Sequence, residues 1–287
     1  MNEYTLAARI GLRSALQLRR SLSIPRESVV NIYDIATAIG IDVRFLDSPS
    51  LEGMFCREPG PIIFLPSLKH RPSGRVCFSC AHEVGHQQLN HGTRVDEYTE
   101  SAHSEPRPIE EVTADVFAAQ LLMPRPAVLS AFDRRKLHPE NASPIQLFTI
   151  SRELGVGYET LLMHMDVALG VLPRSVADQK RKTSPKSIRM EVLGEDKGNS
   201  LTIADVQWSD VPIDLEAGDN LALPIEIGSI PAHLAFEKCR DGFHIVRAVR
   251  PGVGNLAFAG RKIAVRVSRK DYIGPLKNRF LDDPECE

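Results

Sequence analysis

Residues 77–91, Cys-Phe-Ser-Cys-Ala-His-Glu-Val-Gly-His-Gln-Gln-Leu-Asn-His, hold the pattern that most constrains this chain. H-E-x-x-H has a use only on a helix, where His82 and His86 stand one turn apart on one face and can share a metal ion. Glu83 lies about 100° round from His82, placed to reach water activated by that ion without being a ligand itself. The spacing predicts a helix over about 74–90 that buries Val76, Cys77, Cys80, Ala81, Val84 and Leu89. His91-Gly92 would end it, with the glycine as cap.

Two histidines are too few for a catalytic zinc, which takes a third protein ligand and leaves its fourth position to water. The best-placed candidate downstream is Glu111, at the head of a second apolar-periodic stretch, Ile109–Met123. Asp115 follows one turn later on the same face, so the glutamate can bind metal while the aspartate takes the outer N–H of a ligand histidine. Two alternatives stay open. Glu110 is about 100° away on the same helix, and His91 is about 140° round from His86. His91 is also one residue out of step with H-E-x-x-H-x-x-G-x-x-H. An oxyanion donor is wanted as well, and Tyr98 and His103 are candidates in Thr93–Pro108, a polar stretch that reads as a surface loop.

Around this centre the chain reads as α+β. An amphipathic helix over 5–22, with Leu6, Ile10, Ala15, Leu16, Leu18 and Leu22 near helical spacing, precedes a helix over Val29–Ala38 capped by Ser28. Three short runs, Ile41–Leu46, Leu51–Cys56 and Ile62–Leu65, predict a small, mainly antiparallel sheet. Helices over Ser143–Leu154 and Tyr158–Leu169, joined by Gly155-Val156-Gly157, have the length and turn chemistry of a helix-turn-helix. Residues 173–186 are basic and Ser/Pro-bearing, as in a linker. Beyond them come alternating runs starting at Ile188–Leu193, with the hairpin signal Asp241-Gly242, and a loose polar tail from Lys277. The expected organisation is a metallopeptidase-like domain over 1–130, a helix-turn-helix region over 131–172, a linker over 173–186 and a mainly β, sensor-like domain over 187–287.

Composition narrows the setting. The net charge is −2 with 43% hydrophobic residues, which argues against a nucleic-acid coat or disorder. No run approaches the roughly 18 apolar residues of a membrane span. Five scattered cysteines form no disulfide framework, so a reducing cytoplasm is expected. The second helix of the pair carries no Lys or Arg over 158–169, and its charges are Glu159 and Asp166. That surface suits docking to a protein better than contact with DNA phosphates.

His82-Glu-Val-Gly-His86 followed by Glu111-Val-Thr-Ala114-Asp115-Val-Phe117-Ala118-Ala119-Gln-Leu121-Leu122-Met123-Pro124 resembles the ImmA/IrrE family of metallopeptidase-like proteins, over roughly 25–170. The resemblance implies a gluzincin-like fold, zinc on His82, His86 and Glu111, and Glu83 as general base. It also implies an intracellular regulatory role in which the substrate is a helix-turn-helix repressor cut at one site. The layout is most similar to the IrrE branch, linked to radiation and desiccation responses. An H/H/E site with an open position accepts manganese as well as zinc. A different class of function, a non-proteolytic metal-binding regulator acting by repressor docking or DNA binding, would give the base Glu83 no task.

Overall fold

The computed structural model describes residues 2–92, 94–97, 107–195, 198, 200–224 and 226–282. They form two compact units, Met1–Leu129 with Leu154–Val156 and Ile273–Leu276, and Ser130–Glu153 with Gly157–Tyr272 and Lys277–Glu287.

In the first unit, α1 (Glu3–Ser21) is capped by Asn2, whose side chain accepts from the Tyr4 N–H. Its buried face is Ala7, Gly11, Ala15 and Leu18, whereas Leu6 and Ile10 are 46% and 45% exposed. The apolar spacing therefore holds at Ala15 and Leu18 but fails at Leu6 and Ile10, where packing selects the small residues Ala7 and Gly11 instead. A Cβ on Gly11 would collide with the Thr113 carbonyl oxygen of α4 (Ile109–Leu122). Arg19, 1% exposed, donates to the carbonyls of Leu121, Pro25 and Ser28, and so satisfies the C-terminal end of α4. Burial pulls its guanidinium down to about 10, against the opposing pull of Glu27. α2 (Ile32–Ala38) is capped by Asn31, not Ser28: its Oδ1 accepts from the Tyr33 and Asp34 N–H groups.

The sheet of this unit combines β1 (Asp42–Leu46), β2 (Leu51–Cys56), β3 (Ile62–Pro66), β4 (Arg94–Glu97) and β13 (Gly274–Pro275) in the order β13-β1-β3-β2-β4. β1 and β3 are parallel and the other pairings antiparallel. β4 corrects the expectation of a continuous loop over 93–108. α3 (Ser73–Gln88) packs on β2 and on α4, which sets the two motif helices side by side beneath the sheet. Its stop is Asn90, at φ 61°, rather than Gly92.

The second unit carries the C-terminal half of α5 (Arg125–Arg134), then α6 (Pro144–Glu153) and α7 (Tyr158–Met163), which runs on as a π-helical turn over His164–Ala168. Ser143 and Gln146 cap α6 reciprocally, side chain to backbone N–H in both directions. The segment 173–186 is not a linker. It contains α8 (Arg174–Arg181) and the start of α9 (Pro185–Leu193), the latter replacing the strand expected over Ile188–Leu193. Ser184 caps α9 with Pro185 at its first position, and Ile188 and Val192 are buried one turn apart. Lys180 is tied down too, its Nζ donating to the Ala142 carbonyl at 2.7 Å.

Strands β5 (Leu201–Ile203), β6 (Ile213–Glu216), β7 (Asn220–Leu223), β8 (Ile227–Ser229), β9 (Leu234–Arg240), β10 (Phe243–Ala248), β11 (Gly252–Phe258) and β12 (Arg261–Ser268) make two four-stranded sheets, β5-β7-β10-β9 and β6-β12-β11-β8. Their inner faces share one core, with Leu221 and Val246 from one sheet and Leu215, Phe258 and Val265 from the other. The expected hairpin at Asp241-Gly242 joins β9 to β10, both residues having positive φ. The start of the tail is fixed rather than loose: Arg279 is 2% exposed, and the Arg266 guanidinium lies 5.0 Å over the Phe280 ring.

Two buried acids in this unit have different consequences. Glu153, its side chain wholly buried, pairs with Arg134 and Arg135 at 2.7 Å each and accepts the Ser209 N–H at 2.8 Å. Arg135 also grips Asp205 through two hydrogen bonds. Glu216 is pushed up to about 7, chiefly by burial, with Asp219 adding to the shift and Arg279 and the backbone of Asp271 and Tyr272 opposing it. An acid raised in this way stabilises the fold while protonated and loses that contribution as pH rises through about 7. The wild type is expected to lose about 1 kcal/mol relative to Glu216→Gln between pH 6 and pH 8. Urea titrations of both proteins at the two pH values test this, and parallel behaviour would refute it.

Candidate metal centre

α3 presents His82 and His86 with their Nε2 atoms 2.9 Å apart. Glu111, in the first turn of α4, brings Oε2 to 3.1 Å from His82 Nε2 and Oε1 to 3.5 Å from His86 Nε2. Ligand-type atoms of the three residues lie within 4.8 Å of one another, in a largely buried setting. Burial pushes the Glu111 carboxyl up, but the hydrogen bonds and charges of both histidines outweigh it and hold the group well below the usual carboxylate range. Glu111 is therefore an anion facing two imidazole nitrogens, the donor set a divalent ion requires.

Each histidine is held from behind. Asp115 Oδ1 lies 2.9 Å from His82 Nδ1, and its other oxygen is bound by Arg107. His91 Nδ1 lies 2.9 Å from His86 Nδ1, so His91 stands behind a trio member instead of joining the trio. The turn at Asn90 makes this reach possible: the His91 N–H closes on the His86 carbonyl at 2.9 Å, and Arg57 bonds Asn90 Oδ1. Glu110 is exposed and outside the trio. Tyr98 and His103 lie outside the described residues.

Glu83 is 1% exposed, and a Cβ on Gly53 would collide with its Oε1. The absence of a side chain at Gly53 in β2 thus makes the space in which the Glu83 carboxylate sits. A cleft of about 420 Å³ opens here, walled by β2, by the face of α3 that carries Arg75, Phe78, Ser79, His82 and Glu83, and by Arg107, Glu111 and Asp115. Sequence reasoning missed Gly53, Arg107 and the position of His91. It could have found the Arg75, Phe78 and Ser79 wall, which follows the i, i+3, i+4, i+7 spacing ending at His82.

Residues 36–165 match the Peptidase M78 family model, described as the IrrE N-terminal-like domain. That segment is similar to an IrrE N-terminal-like domain. The match takes in both halves of the trio, His82-Glu-x-x-His86 and Glu111, and ends within the π-helical turn after α7. Among curated proteins none matches the chain. Within the IrrE-like domain Cys80 is fully buried, and the Cys77 Sγ sits 3.6 Å from the Tyr33 hydroxyl, so both thiols pack as parts of the helix interface. No helix among the described residues is long and apolar enough to cross a membrane.

The contact behind His86 has a measurable consequence. His91→Ala is expected to weaken zinc binding about 10- to 100-fold, the usual cost of removing the partner that orients a ligand histidine. Competition with a chromophoric chelator reads the affinity, and an unchanged value would show the contact to be incidental.

Proposed function

We propose that the chain is a zinc-dependent endopeptidase that cuts a helix-turn-helix transcriptional repressor at one site in the cytoplasm, inducing a stress or mobile-element response. The observation that carries the peptidase reading is a buried acid, Glu83, set beside the converged trio of His82, His86 and Glu111 at the floor of a cleft. Those three residues would hold zinc, and the same donor set takes manganese. A bound ion supplies Lewis-acid chemistry, activating water and polarising a carbonyl. Glu83 then takes the proton of the attacking water and delivers it to the departing amine. Asp115 and His91 keep the outer nitrogens of the two histidines engaged, so that both Nε2 atoms stay turned inward. The repressor substrate and the regulatory setting rest on the family resemblance.

A second reading is a metal-binding regulator that acts by docking without proteolysis. The surface of α7 and its extension supports it, because Met163 and Val167 are 56% and 68% exposed and the charges of this helix are Glu159 and Asp166, the latter paired with Arg181. Such a surface fits a protein partner better than a phosphate backbone. Co-expression with a repressor encoded nearby separates the two readings. Loss of full-length repressor with the wild type but not with Glu83→Gln supports proteolysis, and equal repressor levels in both would sink it.

A further inference from the structure

α1 has a side that the fold does not use. Its buried side packs on α4 and α3 through Ala7, Gly11, Ala15 and Leu18. On the other side Leu6, Ile10, Arg13, Gln17 and Arg20 follow one another at steps of three and four residues, so they form one stripe, within about 80° of arc and about 21 Å long. All five are exposed, Leu6 and Ile10 by nearly half. The stripe is apolar in its first half and cationic in its second. Neither the Arg13 nor the Arg20 guanidinium has a partner among the described residues. The helix holds one acid, Glu3 in its first turn, and Glu27 beyond its end acts on Arg19, which is buried. The helix dipole favours a cation in the last turn, which accounts for Arg20 but not for Arg13 in mid-helix. A surface that meets only water has no use for two adjacent aliphatic side chains beside those cations. α1 also precedes the segment matched by the family model, so that match gives the stripe no role.

We propose that this stripe docks an amphipathic helix of a partner protein, apolar in one half and acidic in the other. Charge complementarity selects that occupant. A second copy of α1 is a poor match: laid parallel it sets arginine on arginine, and laid antiparallel it sets Leu6 and Ile10 against arginine. A bilayer fits no better, because a helix lying in the interface carries its apolar residues along its whole length with cations at the flanks, whereas here the two kinds are divided along the axis. A nucleic-acid backbone would meet Arg13 and Arg20 but leave Leu6 and Ile10 against phosphate. A helix with Leu-like residues in one half and Asp or Glu in the other satisfies both ends at once. The contact is about four turns long with two cations to pair, at the small end of specific interfaces, so the association is weak and reversible. None of this depends on the peptidase reading.

The test uses the full-length protein and two fluorescein-labelled helical peptides of about 18 residues, each with leucines on one half of a stripe and either glutamates or lysines on the other. In anisotropy titrations at low salt the wild type is expected to bind the glutamate peptide about tenfold more tightly than the lysine peptide. The double variant Arg13→Glu/Arg20→Glu should exchange that preference, and Arg13→Gln/Arg20→Gln should abolish it. Leu6→Ser/Ile10→Ser should weaken both peptides and leave their ratio as it was. All four side chains are exposed, so the variants should melt as the parent does. Raising the salt concentration should shrink the wild-type preference. Absence of binding, equal affinity for the two peptides, or a preference that survives in Arg13→Glu/Arg20→Glu overturns the inference. So does tighter binding to phosphatidylserine vesicles or duplex DNA than to the glutamate peptide, or self-association, if it is lost in the same variant, because the stripe then belongs to a bilayer, a nucleic acid or a second copy.

Discussion

Glu83→Gln is expected to bind zinc as the parent does and to cleave its substrate about 10²- to 10⁴-fold more slowly, the range for loss of a positioned general base. The substitution keeps shape and hydrogen-bonding capacity, which matters because Glu83 is 1% exposed and its carboxylate lies where a Gly53 side chain would be. What it removes is the capacity to accept a proton at this place. Glu83 is not one of the three converging residues, so metal analysis of the purified variant should give the wild-type zinc content while single-turnover cleavage collapses. The contrast with His91→Ala is diagnostic. That variant should recover activity when zinc is added in excess, because its defect is affinity, and Glu83→Gln should not. Full activity in Glu83→Gln would remove the acid from the mechanism, and parallel loss of zinc would make it a ligand.

Glu153→Ala is expected to destabilise the second unit by about 3–5 kcal/mol, the cost of removing one partner from a buried charge network. The side chain is wholly enclosed, two arginines converge on it, and the Ser209 N–H depends on it for an acceptor. Arg135 is 5% exposed in its side chain and would keep Asp205 and the Ala131 carbonyl as partners. Burial lowers the Arg135 guanidinium, but Glu153 and Asp205 together outweigh that and hold it above its ordinary value; arginine is protonated throughout the working pH range, so the loss of Glu153 leaves a buried cation with one acid fewer. Urea denaturation followed by circular dichroism reads the effect. A loss below about 1 kcal/mol would mean that the network relaxes and admits water. Glu153→Gln, which keeps an acceptor for Ser209, should fall between the two.

The site was legible because its geometry is local. Helix pitch alone relates His82 to His86, and Glu111 to Asp115, so the spacing of residue types carries three-dimensional information. Pairing the two helices needs long-range contact, and there the sequence offered alternatives. His91 was considered as a ligand because angle round a helix was the only measure available. The turn at Asn90 breaks the helix and swings His91 behind His86, which no periodicity reveals. The misread N-terminal half of α1 has a similar cause. Leu6 and Ile10 are more apolar than Ala7 and Gly11, but close approach of two helices selects for small volume before hydrophobicity. Basic composition over 173–186 suggested a linker because the charged side chains outnumber the few apolar residues there, of which Ala177 is buried and ties α8 down. The strand β6 went unread because Ile213–Glu216, although it alternates apolar and polar residues, is only four residues long, and β11 because the glycine-bearing Gly252–Phe258 has no clean alternation.

The outermost strand of the catalytic sheet comes from a part of the chain more than a hundred residues beyond the matched IrrE-like segment. Gly274 and Pro275 pair with Phe45 and Arg44 of β1, and they are made only after the whole β sandwich. During synthesis, with the N-terminal part emerging first, the sheet therefore stays one strand short until the strands of the sandwich have been made. A chain interrupted anywhere between α5 and β12 would carry every residue of the metal trio and still leave β1 as an uncovered edge, open to pairing with other extended chains. A late-arriving strand ties completion of the first unit's sheet to synthesis of the second unit, so that copies interrupted in the sandwich differ from longer ones in the unit that carries the trio as well as in length.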